Sequence, residues 1–140
     1  MSVETHRITL ESRGHTHVLD LTHRVEERLA QGKIRDGLVT VFVIGSTAAI
    51  TTTEFEPGLA TSDLREVYER FAPENAPYRH HETWNDDNGH SHVRASLTGP
   101  SLTVPLVGGK MPLGTWQQII LLDFDTRPRR REVVVQVIGE

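Results

Sequence analysis

The chain has 140 residues, no cysteine and a formal net charge of −4. Without cysteine there is no disulfide framework, thiolate metal site or cysteine nucleophile, so a bound metal would rest on His, Asp or Glu. The acidic balance disfavours nucleic acid as a partner, because a general nucleic-acid binder needs a basic surface to displace phosphate counterions.

The length suits one domain over residues 1–140. No apolar run approaches the roughly 20 residues that span a bilayer, and no basic start is followed by an apolar stretch. The expectation is a cytoplasmic protein without a membrane partner.

In chain order, Thr5 to Ser12 and His15 to Leu21 are expected as two strands folded back at Arg13-Gly14, where glycine tolerates a positive φ. Thr22 is placed to cap a helix running to about Gln31, with Val25 and Leu29 one turn apart and Gly32 as its stop. Gly37 to Ile44 is apolar and β-branched enough for a strand buried on both faces. Gly45-Ser46 separates it from a Thr-rich strand, Ala48 to Phe55. Leu64, Val67, Tyr68 and Phe71 then follow the i, i+3, i+4, i+7 pattern of an amphipathic helix, with Thr61 or Ser62 at its start and Pro73 beyond its end. Asp63 near that start is accounted for by the helix dipole.

Residues 73–92 lack apolar periodicity and are expected as a long connection, a place where function concentrates. His92 to Leu97 suits a short helix or strand; Ser101 to Val107 alternates as a half-buried strand; Gly108-Gly109 turns the chain. Leu113 to Asp125 and Arg131 to Ile138 are the last two strands, the latter with Val133, Val135 and Val137 on one face. More strands than helices, and no crossover helices in the last third, give an α+β fold with a mixed, mostly antiparallel sheet and two main helices.

The densest chemistry lies in the connection. His80, His81, His90 and His92 are interleaved with Glu82, Asp86 and Asp87, donors suited to zinc and similar divalent ions. On an extended backbone His90 and His92 share a face; on a helix they diverge by roughly 200°. Three readings stay open: metal ligands, acid–base catalysts, or loop histidines bonded to nearby backbone. Glu54, at the end of its strand before Pro57-Gly58, is either a ligand or general base in a cleft or a solvated surface acid. Arg94, Ser96 and Ser101, around Gly99, are candidate phosphate contacts, as is the run Arg127, Arg129, Arg130 and Arg131; an ordinary turn explains either stretch as well. Trp116 and Gln117 are placed either to line a pocket or a subunit contact or, as is favoured for the Trp ring, to pack.

The stretch SLTVPLVGGKMPLGTWQQI, from Ser101 to Ile119, resembles the signature of the YjbQ-like family. NGHSHVRASL from Asn88 and DFDTRPRRR from Asp123 resemble a branch of it. The resemblance implies an α+β homotrimer with a site near Glu54, His80, Asn88 and His92, and His81 where relatives often carry Asn. Members are identified as secondary thiamine-phosphate synthases, which implies joining a hydroxymethylpyrimidine pyrophosphate to a thiazole phosphate. A phosphorylated small molecule would then be the partner, with zinc or magnesium assisting at His80, His81, His90 and His92. Non-catalytic capture of a metal or phosphometabolite is the alternative. Where many relatives read His-Thr-Ser-Ala and Asn-Glu, this chain has Gly45-Ser46-Thr47-Ala48 and Thr53-Glu54.

Overall fold

The computed structural model describes all residues, Met1–Glu140. Seven strands and four α-helices follow one another as β1 (Ser2–Ser12), β2 (His17–Asp20), α1 (Thr22–Gln31), β3 (Gly37–Val43), β4 (Ala48–Thr53), α2 (Leu64–Phe71), α3 (Arg79–Trp84), α4 (Gly89–Thr98), β5 (Ser101–Leu106), β6 (Gln118–Asp123) and β7 (Arg129–Gly139). A π-helical turn, Leu59–Asp63, leads into α2. The strands form two antiparallel sheets, ordered β1-β7-β3-β5 and β2-β6-β4.

Strand alternation decides how the sheets pack. In β7, Arg131, Val133, Val135 and Val137 point inward; in β3, Val39, Val41 and Val43 do the same. These residues meet Ala48, Ile50, Ile119 and Leu121 of the smaller sheet, and α1 closes the layer with Val25 and Leu29. The other face of the smaller sheet presents Ala49, Ile120, Leu122 and Phe124 to Ala60 and Ala95 and to the partly buried Leu64 and Tyr68 of α2. The layers are therefore sheet, sheet and helices. Covered on both sides, β6 needs its unbroken run Ile119-Ile120-Leu121-Leu122, with no side chain of the four exposed.

Four expectations change. The first two strands do not form a hairpin: β1 pairs with β7 along its whole length and β2 pairs with β6. Between them the chain crosses from one sheet to the other through Gly14, His15 and Thr16, all at positive φ (74°, 54° and 62°). A Cβ on Gly14 would lie 2.5 Å from the Asp125 carbonyl oxygen, so the crossing has no room for a side chain there. Second, β3 is buried on one face only; Leu38 and Phe42 lie on its exposed outer face. Third, the connection over 73–92 contains α3 and the first turn of α4, and Asn85 ends α3 in the left-handed conformation. Fourth, residues 113–117 precede β6 as a loop, and Trp116, expected to pack, is 72% exposed.

The helix starts also differ. Thr22 is the first residue of α1 and its hydroxyl accepts the Ile119 N–H, while Asp20 accepts the Thr22 N–H. Helical structure ahead of α2 begins at Pro57, not Thr61 or Ser62, because the Glu56 carboxylate takes the free N–H groups of Gly58 and Leu59 at 2.8 Å each. Those two bonds lower the pKa of Glu56.

Candidate metal centre

The histidines are positioned by two short helices held against the sheet. On α3, His80 Nδ1 stands 2.9 Å from Asp86 Oδ1, brought back by the left-handed turn at Asn85. His81 Nε2 accepts the Gly89 N–H at 3.1 Å, which places the proton of its neutral ring on Nδ1. Gly89 is fixed by this approach: a Cβ would fall 2.6 Å from Tyr78 Cβ and 3.0 Å from His81 Nε2. His92, one turn into α4, lays its ring 4.5 Å from that of His80, centroid to centroid.

His80, His81 and Asp86 each offer a ligand atom within 4.8 Å of the others. Ligands about 2.0–2.2 Å from a tetrahedral ion lie roughly 3.4 Å apart, so a site of two imidazoles and a carboxylate is completed by small side-chain rotations in which His81 releases the Gly89 N–H. Such a donor set suits zinc better than magnesium, which prefers oxygen ligands. Beside it, Asn88 Nδ2 donates to Asp125 at 3.3 Å, while Asn88 Oδ1 is buried with no protein partner.

His90 and His92, expected among the ligands, fall outside the cluster of His80, His81 and Asp86. Because the segment is helical, the two side chains diverge, and His90 is buried with its Nδ1 unpaired. Burial lowers its pKa, with Arg94 adding to the effect; burial also lowers that of His92, followed by the neighbouring His80 ring.

Behind the histidines lies a buried ionic network. Arg131 binds Asp123 through Nε at 2.6 Å and Nη2 at 2.8 Å, and donates to Thr47 Oγ1. Thr47 donates to Asp125 at 3.0 Å, and Asp125 also accepts from Arg129, Asn88 and the Thr126 N–H. Burial alone would raise the Asp125 pKa, but these four donors outweigh it and lower it to about 2. The sign follows: the folded state keeps Asp125 ionised where the unfolded chain, near 3.8, takes up a proton. The carboxylate thus contributes about 2 kcal/mol above pH 4 that fades as pH falls from about 4 to about 2. Urea unfolding from pH 5 to 2 checks this: Asp125→Asn is expected to flatten that part of the wild-type stability profile, and an equally steep mutant profile contradicts the assignment.

The network redirects the proposed phosphate contacts. Arg131 and Arg129 are engaged internally, leaving Arg127 and Arg130 exposed. Arg94 is buried and donates to the Ala72 carbonyl, Thr16 and Glu69. Ser96 donates to the His92 carbonyl, and Ser101 opens β5 as an exposed residue. These three do not form an anion cradle. Glu54 is also elsewhere: β4 starts opposite Asp123 near the network and runs to Thr53 opposite Gln118, so Glu54 lies at the far end of the strand, in a cleft with Trp116 and Gln117. At the near end, where the resemblance implies a histidine, Gly45 has φ +124° and a Cβ there would lie 2.8 Å from Arg131 Nη1.

The model of the family described as UPF0047 protein YjbQ-like matches residues 6–140. The chain belongs to this YjbQ-like family. A UPF0047 protein of Archaeoglobus fulgidus is 37% identical over 131 residues, covering 94% of this chain and 98% of its own; one from Methanothermobacter thermautotrophicus is 39% identical over 140 residues, covering 100% and 95%. Among solved structures, a hypothetical protein from Aeropyrum pernix K1 superposes with a TM-score of 0.90 at 35% identity, covering 98% of this chain and 99% of that one. A protein of unknown function from Sulfolobus solfataricus P2 gives 0.88 at 29% identity, covering 99% and 100%. The α+β architecture is thus the family's. What sequence reasoning missed in this YjbQ-like chain is the buried role of Asp123 and Asp125 and the inward turn of Arg131; the available signal was parity, since Arg131 sits at the inward register of Val133, Val135 and Val137.

Proposed function

We propose that this protein holds a divalent metal ion, zinc by preference, at His80, His81 and Asp86 and uses the site on a phosphorylated small molecule. The observation that carries the reading is the convergence of three ligand atoms within 4.8 Å, with the His92 ring tilted against that of His80 and an unpaired Asn88 Oδ1 alongside. A bound ion would supply positive charge for a leaving phosphate or pyrophosphate. His80 and Asp86, 2.9 Å apart, would supply two of the ligands, His81 would join them by exchanging its Gly89 N–H bond for the ion, and His92 is placed to exchange a proton with a reacting group. The specific reaction the resemblance favours is transfer of the thiamine-phosphate synthase type, joining a hydroxymethylpyrimidine pyrophosphate to a thiazole phosphate.

A second reading is capture without turnover. It is favoured by the engagement of Arg94, Arg129 and Arg131 in internal contacts, which withholds them as a clamp for a transferring phosphate.

One experiment separates them. Chelator-stripped protein is reloaded with zinc or magnesium, its metal content measured, and pyrophosphate release followed with both thiamine precursors. His80→Ala is expected to weaken zinc uptake by at least about tenfold, since losing a ligand costs more than losing an outer hydrogen bond. His92→Ala is expected to keep the metal and lose release. Zinc without release supports capture; equal zinc in wild type and His80→Ala sinks both readings.

The assembly proposed for the chain is a homotrimer, and the outer face of the larger sheet supports self-association. Val3, Ile138, Leu38 and Pro105 stand in register across its four strands as one exposed apolar row; the polar row Thr5, Gln136, Thr40 and Thr103 follows, and Phe42 with the half-buried Val134 lies beyond it. Apolar rows of this kind are ordinarily covered by a partner. Light scattering on the same samples gives the mass: a trimer is expected, and a monomer at micromolar concentration contradicts it.

A further inference from the structure

On another side of the molecule, the crossing between β1 and β2 forms one wall of a cleft of about 390 Å³, and the segment from Phe55 to Arg65 forms the other. Its charge is unlike that of the chain. Asp and Glu outnumber Lys and Arg by 19 to 15 overall, yet the lining includes Arg13, Arg65, His15 and His17 and no carboxylate. Phe55 and Pro57 add apolar surface, with Phe55 44% exposed.

The cationic wall is built, not merely a set of surface side chains. His15 and Thr16 hold left-handed backbone, which is unfavourable for any residue but glycine and most of all for a β-branched one. Several contacts keep them there. The His15 N–H donates to the Asp125 carbonyl at 2.7 Å, Arg94 donates to Thr16 Oγ1 at 3.0 Å, and Arg65 holds the His15 carbonyl through Nη2 at 2.7 Å and Nε at 3.3 Å. Arg65 thereby keeps its guanidinium at the cleft with donors to spare. The Arg13 N–H donates to His17 Nδ1 at 3.0 Å, so the neutral ring carries its proton on Nε2. Arg13 itself enters no ion pair. Glu74 is engaged with His15 at 3.4 Å and Asp123 with Arg131.

We propose that this cleft is a binding site for a small organic anion, its phosphate or carboxylate oxygens on Arg13, Arg65 and His17 and a flat apolar body against Phe55 and Pro57. Two guanidiniums and a neutral imidazole donor suit an oxyanion, and the volume suits a ligand of one or two rings. The site owes nothing to the histidine–carboxylate cluster and stands whether or not that cluster binds metal.

The test is calorimetric titration of the full chain, in chelator, with phenyl phosphate, benzoate and inorganic phosphate. Saturable binding of phenyl phosphate or benzoate is expected, with the tighter of the two identifying the preferred oxyanion. Arg13→Gln is expected to weaken it at least about tenfold, the loss of one charged hydrogen bond, at an unchanged melting temperature. Phe55→Ala is expected to weaken both aromatic anions more than inorganic phosphate. No saturation by any of the three, or undiminished binding in Arg13→Gln, overturns the proposal; Arg65→Gln, judged by the same titration, guards against compensation at Arg13.

Discussion

Replacing Arg131 with alanine is expected to lower the melting temperature by about 10 °C or more, the equivalent of roughly 3–5 kcal/mol. Arg131 is 6% exposed and Asp123 is fully buried, so Asp123 left alone is a charge without water or counterion, whereas Arg131 left alone keeps Asp125 at 3.9 Å. Asp123→Ala is therefore expected to cost somewhat less. The pair need not be worth that amount in itself, because desolvation consumes most of its attraction. The double variant Arg131→Met with Asp123→Leu tests this, since removing both charges is expected to recover most of the loss. Thermal unfolding of the three variants decides it: single variants within about 1 kcal/mol of wild type would mean that water reaches the pair. Arg131→Ala is also expected to reach the proposed metal centre. Arg131 holds Thr47, Thr47 holds Asp125, and Asp125 holds Asn88 next to Gly89, which positions His81.

The same residue marks where a sequence can be read and where it cannot. The alternation of Val133, Val135 and Val137, the 3.6-residue spacing of Val25 and Leu29, and the stripe Leu64, Val67, Tyr68 and Phe71 each report a local period, and each element is where its period puts it. Pairing is not local. Gly14 signals a positive φ, but the choice between a hairpin and a crossing to the second sheet depends on β6 and β7, more than a hundred residues away. The histidine segment failed for another reason: α3 and α4 are separated by the left-handed Asn85, and they turn Trp84, Val93 and Leu97 outward while α4 buries His90, Ser91 and Arg94, so they carry no inward apolar stripe. Its composition still pointed to the correct neighbourhood, and His80 and His92 do lie side by side. Glu54 did not join them, because β4 separates it from the network by the strand's length, about 20 Å at 3.3 Å per residue.

Phe124→Ala is expected to cost roughly 3–5 kcal/mol, by removing a large, fully buried side chain from a layer with few neighbours to collapse inward. Phe124 belongs to the smaller of the two apolar clusters, seven residues against eighteen, and it is the aromatic ring through which Tyr68 of α2 meets the sheet, with centroids 4.7 Å apart. Ala95 of α4 belongs to that cluster, and the buried Ser91 hydroxyl donates to the Phe124 carbonyl. The helices that carry the histidines are thus attached to the sheet largely here. The expected consequence is uneven: hydrogen exchange in Phe124→Ala should accelerate first in α2 and α4, while β1, β3 and β7, packed in the larger cluster, keep near-wild-type protection relative to global unfolding. Affinity for zinc at the proposed site should fall with it, because α3, which carries His80 and His81, packs against α4. Phe124→Leu, which fills most of the volume, is expected to restore both protection and affinity in large part. Uniform acceleration across all seven strands would instead mean that the two clusters unfold as one unit and that the metal centre has no independent attachment to lose.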